Sequence, residues 1–224
     1  MKVQHILSVI LLLLVAAQVN AGWIIQQKVT VNGEAETVTL YIQKNKMKTM
    51  NHAIALIDLE AEKFYTIMPE QKMYMVMSPD AISKAREGMV QPVETPSKVE
   101  VKETAETATI AGYATKKYQV WVDGVMKSEL WVTKDIDFSD EFDMAKLSRM
   151  TEKMSGQSAF KSTNEYQEMM KLGFPLKQVE ITPEGKVESE VIKLEKKDIS
   201  DSEFQIPSDF QGMDMGDMSK MMGR

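Results

Sequence analysis

Few residues in this sequence have the types that catalysis requires. Once a leader over residues 1–21 is set aside, a single histidine, His52, is left, so any Ser-His-Asp arrangement would have to use it. Gly156-Gln157-Ser158-Ala159-Phe160 begins like a nucleophile elbow but lacks the second glycine. One histidine cannot supply the usual nitrogen ligands of zinc, and the absence of cysteine excludes thiolate metal sites, thiol nucleophiles and disulfides together. Asp135-x-Asp137-x-Ser139 opens like a calcium loop, then places Asp140 where the turn needs glycine and Lys146 where a bidentate glutamate should close the shell. No glycine-rich phosphate loop is present. The expectation is a protein that is not an enzyme and that holds no cofactor.

The methionines are the more informative residues. There are 19 in the chain. Met73, Met75 and Met77 alternate along an apolar segment and point to one side of a strand. Met144, Leu147, Met150 and Met154 recur three or four apart, which places them on one stripe of a helix. Thioethers are flexible and polarizable and suit adaptable apolar surfaces. These seven residues are the candidate lining for a hydrophobic ligand, with ordinary core packing as the alternative. Met213, Met215, Met218, Met221 and Met222 crowd the C-terminus and offer soft sulfur to Cu(I), the alternative being a tail without a specific role.

The elements that must carry these residues are mostly strands. Trp23–Val31 ends at Asn32-Gly33, a strong hairpin signal, and segments at residues 37–43, 46–51, 54–59, 63–68 and 72–77 follow across short polar turns. Ser78-Pro79-Asp80 starts a helix. Residues 89–98, with Pro92 and Pro96, read as a mobile loop. Strands resume at 99–110, 116–122 and 126–135. Helices are expected near Asp140–Met154, opened by Ser139, Asp140 and Glu141, and near Thr163–Leu172. A last hairpin spans residues 176–197, and Phe204, Ile206 and Phe210 dock the chain end. The fold class is α+β and mainly antiparallel β: about eleven strands in one meander, forming a curved, incompletely closed, barrel-like sheet covered by a few helices.

Lys2, the apolar run Ile6–Ala17 and the small residues of Val19-Asn20-Ala21 are the parts of a signal peptide, too short to span a bilayer. Export to the periplasm or the outside is therefore expected, with no transmembrane anchor. A single domain over residues 22–212 and a disordered Met-rich tail over 213–224 would follow. The chain's net charge is −6, and loss of Lys2 makes it one unit more negative. Without a basic cluster, nucleic acid is excluded as a partner.

Several patterns occur in a familiar order: Leu40-Tyr41-Ile42 with Lys46-Met47-Lys48, Ile57-Asp58-Leu59, Lys72-Met73-Tyr74, and Ile110-Ala111-Gly112-Tyr113 leading to Lys117-Tyr118. Trp131-Val132-Thr133-Lys134-Asp135, Gly173-Phe174-Pro175-Leu176 and Phe204-Gln205-Ile206-Pro207 complete the set. Together they resemble the exported bacterial family catalogued as domain of unknown function 4412, itself distantly like the periplasmic lipoprotein carriers of LolA and LolB type. Thr115 departs from that pattern, in a segment where cysteine is expected in many relatives. The resemblance implies an unclosed antiparallel barrel with one apolar face under helices, able to hold acyl chains. The expected function is non-catalytic: binding or carrying a lipid or lipidated protein. The alternative is a structural or stress-related envelope protein acting through protein contacts, its protein partner unknown.

Overall fold

The computed structural model describes residues 21–51, 53–86, 98–155, 172–182 and 185–214. The expected signal peptide, all but the last residue of the 89–98 loop, and nearly all of the second helix lie outside the described residues. The strands are β1 (Ala21–Val31), β2 (Glu34–Gln43), β3 (Lys46–Met50), β4 (Ile54–Asp58), β5 (Lys63–Met68), β6 (Met73–Met77), β7 (Val99–Ile110), β8 (Tyr113–Val122), β9 (Val125–Thr133), β10 (Phe174–Thr182), β11 (Gly185–Asp198) and β12 (Gln211–Asp214). The helices are α1 (Pro79–Arg86) and α2 (Met144–Ser155).

All twelve strands form one curved, open sheet in the order β12-β6-β5-β4-β3-β2-β1-β11-β10-β9-β8-β7. Short turns explain most of it. Asn32-Gly33, Lys44-Asn45, Ala111-Gly112 and Asp123-Gly124 each hold both residues at positive φ. That is the two-residue turn whose twist matches the flanking strands. The expectation of one continuous meander is corrected. β6 does not pair with β7; instead β1 pairs antiparallel with β11 along its whole length, joining two separate meanders edge to edge. Each meander ends in an unpaired edge, and the β1–β11 ladder satisfies both.

The sheet has two apolar faces, set by register. On one, Trp23 lies opposite Ile42, Ile42 opposite Met47, Met47 opposite Ile57, Ile57 opposite Phe64, and Phe64 opposite Met77. Helix α2 packs here, and α1 lies against α2. On the other face, Ile24, Tyr41, Leu56, Tyr65, Ile67 and Tyr74 are covered by Ile199, Phe204, Ile206 and Phe210. The chain end is thus a strap across the back of β1–β6.

The strap is held at both ends. Buried Gln43 accepts the Ile199 N–H through Oε1 at 3.1 Å. Lys44 pairs with Asp201 at 2.9 Å, Lys48 with Glu203 at 3.2 Å and Lys72 with Asp209 at 2.8 Å. The strap then enters the sheet as β12, parallel to β6. Met213 and Asp214, expected to open a disordered tail, are in this strand. A Cβ on Gly212 would sit 2.5 Å from the Tyr74 ring, so glycine lets that ring lie over β12 without shifting.

Phe204 is 7 % exposed within the strap cluster. Phe204→Ala is expected to cost about 3 kcal/mol of stability. Urea unfolding measures this directly, and a loss under about 1 kcal/mol would mean the strap is only loosely seated.

Candidate functional site

The helix face carries most of the candidate lining. Met73, Met75 and Met77 are all half-buried on β6. Their register partners on β5 are Met68, Thr66 and Phe64. Phe64 belongs to the same apolar cluster as Met150 and Leu147 of α2. The two methionine-bearing elements expected from sequence therefore address one face of one sheet. Met150 is 3 % exposed and fully part of the core, while Leu147 packs at its border.

Met144 is different: it is 49 % exposed and contributes nothing to that surface. The reason is the helix start. Ser139, Asp140 and Glu141 do not open α2, which begins four residues after Asp140. Asp143 caps it, accepting the Lys146 N–H at 2.8 Å. Asn45 holds this start in place. Its N–H donates to the Glu141 carbonyl at 2.7 Å, and its Oδ1 accepts the Asp143 N–H at 2.9 Å. Met144 falls in the first turn, outside the packed stripe. The side chain of Met154, and Met215, Met218, Met221 and Met222, lie outside the described residues. His52 and Gly156–Phe160 do too.

Sequence reasoning missed an aromatic relay on this face. Trp23 meets Phe138 edge-on at 5.0 Å, and Phe138 meets Phe174 edge-on at 4.7 Å. Trp23 Nε1 is buried without a hydrogen-bond partner among the described residues. A buried indole N–H ordinarily donates to an oxygen acceptor. No pattern in the sequence marks that N–H as orphaned.

Among the described residues no other buried side-chain nitrogen or oxygen lacks a partner. Asp137 accepts the Ser139 N–H at 2.8 Å, closing a turn within the calcium-loop-like segment. Among the described residues no group of three or more His, Asp or Glu is placed to hold a metal. Thr115, at the position that departs from the resemblance, is 4 % exposed and donates to the Ala108 carbonyl at 3.0 Å. Around Trp131, Lys117 pairs with Glu129 at 2.8 Å and Glu106 at 3.1 Å. Lys177 pairs with Glu188 and Glu190, each at 2.7 Å. Both ammonium groups stand over the indole, at 4.9 and 5.6 Å from its centre. Burial pushes the Glu129 carboxyl up, but hydrogen bonds from Lys117 and Gln119 outweigh it and hold the group below its ordinary value. Each charge of this cluster has an opposite neighbour.

The family model described as domain of unknown function (DUF4412) matches residues 17–210. No curated protein matches the chain. Among solved structures, PNGF-II in a C2 space group is similar at 15 % identity and TM-score 0.44, over 91 % of this chain and 33 % of that one. MucB is similar at 12 % identity and TM-score 0.41, over 87 % of this chain and 60 % of MucB. The Pseudomonas aeruginosa MucA/MucB complex is similar at 9 % identity and TM-score 0.39, over 86 % of this chain and 58 % of that one. The chain thus spans between a third and three-fifths of these proteins, and likeness at this level carries no argument about activity or partner. Among the described residues, no helix is long and apolar enough to cross a membrane.

The Glu129 carboxyl yields a pH prediction. Its folded value is depressed, so its contribution to stability is present above the unfolded value of about 4.3. That contribution is lost as pH falls through the folded value. Melting temperature against pH should therefore fall below about pH 4.3 in the unaltered protein and fall less steeply in Glu129→Gln. Identical slopes would mean that the Lys117 pair contributes nothing.

Proposed function

This chain belongs to the family described as domain of unknown function (DUF4412), and within it we propose a non-catalytic protein that binds or carries a hydrophobic ligand. The ligand class is a lipid or the acyl chain of a lipidated protein, and the place of action is the periplasm or the cell exterior. The observation that carries this reading is the helix face. It combines adaptable side chains from β6 and α2 with one buried donor, Trp23 Nε1, that has no acceptor among the described residues. Apolar walls with this donor, and the Lys196 ammonium 5.4 Å from the centre of the same indole, suit an acyl chain bearing a carbonyl or carboxylate head.

Burial supplies the driving force, at about 0.8 kcal/mol per methylene. Ten buried methylenes would yield roughly 8 kcal/mol before ordering costs. That suffices for binding while still permitting hand-over to an acceptor. Nothing in this requires a nucleophile, a general base or a metal.

The test is a fluorescent fatty-acid probe series. Affinity should rise with chain length in the unaltered protein. Met75→Glu combined with Met150→Glu should abolish binding, because an isolated carboxylate on this face is costly to bury. Circular dichroism separates lost binding from lost fold, and Met75→Glu alone serves if the core residue Met150 does not tolerate the charge. If the unaltered protein binds without regard to chain length, the reading gives way to a structural envelope protein acting through protein contacts.

A further inference from the structure

The β12 register adds Met213 to the β6 methionines of the proposed acyl site and so creates a sulfur cluster with a chemistry of its own. Met68 lies opposite Met73 across β5 and β6, and Met213 is the register partner of Met75 across β6 and β12. Register partners share a face, and so do alternate residues along a strand. Met68, Met73, Met75, Met77 and Met213 therefore all project from the helix face at one margin of the sheet. Each is half-buried.

We propose that this margin is a Cu(I) site built from strand methionines, with Met75 and Met213 at its centre and Met73 completing the set. The spacing permits it. Neighbouring strands lie about 4.7–4.9 Å apart, and alternate residues on a strand about 6.6 Å apart. The methionine side chain is unbranched and flexible, and rotation about its first two bonds can turn neighbouring sulfurs toward one another.

The ligand chemistry selects the ion. Thioether sulfur is soft and neutral, which suits Cu(I) and does not suit the harder divalent ions. The hard donors that would favour zinc or calcium are not grouped among the described residues. The side chain facing Met75 from β5 is Thr66, and the one facing Met77 is Phe64, so no charge intrudes on this face from β5. Asp214 aligns with Val76 and points to the other face. Gly212 leaves room for the Tyr74 ring, and the parallel β6–β12 pairing brings Met213 beside Met75.

The experiment is an anaerobic titration of the full chain with Cu(I) against a chromogenic Cu(I) chelator. The chain should withdraw one equivalent. Met75→Leu combined with Met213→Leu should weaken binding at least tenfold, and Met144→Leu, on the exposed turn of α2, should leave it unchanged. Leucine keeps the volume and apolar character, so melting temperature and acyl-probe binding should persist in the double variant. X-ray absorption of the loaded protein should give a shell of sulfur only. The proposal is overturned if no copper is withdrawn, or if the double variant binds like the unaltered chain. It is also overturned if affinity disappears only when Met215, Met218, Met221 and Met222 are replaced, which would place the copper on those residues alone.

Discussion

β1 has β2 on one side and β11 on the other, and this second ladder is the constraint from which the architecture follows. Without it, the two meanders would each expose a long strand edge of unpaired N–H and C=O groups. With it, the apolar residues of β1 are covered on the helix side by residues drawn from both halves of the chain. Ile25, Ile42, Leu176 and Val191 come from four strands that meet only because β1 and β11 pair, and each is at most 2 % exposed. The ladder closes a loop of more than a hundred residues, so it forms late relative to the hairpins.

The local devices were legible in the sequence, and the long-range ones were not. Asn32-Gly33 and Asp123-Gly124 read directly as hairpins, because positive φ at both turn residues is a property of those side chains. Nothing comparable marks Ala21–Val31 as the partner of Gly185–Asp198, since strand pairing between distant segments leaves no periodic signal. The α2 start is not legible for a related reason. Ser139, Asp140 and Asp143 are all competent caps, and Asn45, nearly a hundred residues earlier in the chain, holds Asp143 in place. Met213 was read as tail because glycine and aspartate surround it. The same Gly212 that suggested disorder is the residue that lets β12 approach Tyr74. As for the candidate site, the alternation of Met73, Met75 and Met77 and the inward Leu147 and Met150 were legible. The Trp23 donor was not, since an orphaned N–H is defined by what surrounds it.

The strap solves a problem that the ladder leaves open. Pairing β1 with β11 buries one face under α2 but leaves Ile24, Leu56 and Ile67 on the other face in need of cover. Phe204, Ile206 and Phe210 supply it, and three lysines of the first meander meet three acidic residues of the strap. The outer pairs are exposed and contribute little individually. Lys48, at 12 % side-chain exposure, is the shielded one and is better placed to orient the segment. An acidic chain thus uses some of its carboxylates for self-recognition, and a small run of parallel pairing then blocks the β6 edge.

The helix face changes character along the sheet, and this gradient bears on how anything would enter it. Near β1 and β2 it is closed: Ile25 and Ile42 are essentially inaccessible and Trp23 is locked against Phe138. Across β3, β4 and β5 the residues become half-buried, and by β6 and β12 the same face consists of methionines partly open to solvent. Rigid aromatic and branched residues occupy the closed end, and flexible thioethers the open end. An acyl chain would therefore enter from the β6–β12 margin, where side chains can rearrange at little cost. It would advance toward Trp23, whose N–H has no acceptor among the described residues. A metal ion on that margin would occupy the entrance, not the interior. Because both ligands need the β6 methionines, Cu(I) and an acyl chain would compete there, and each would lower the apparent affinity of the other.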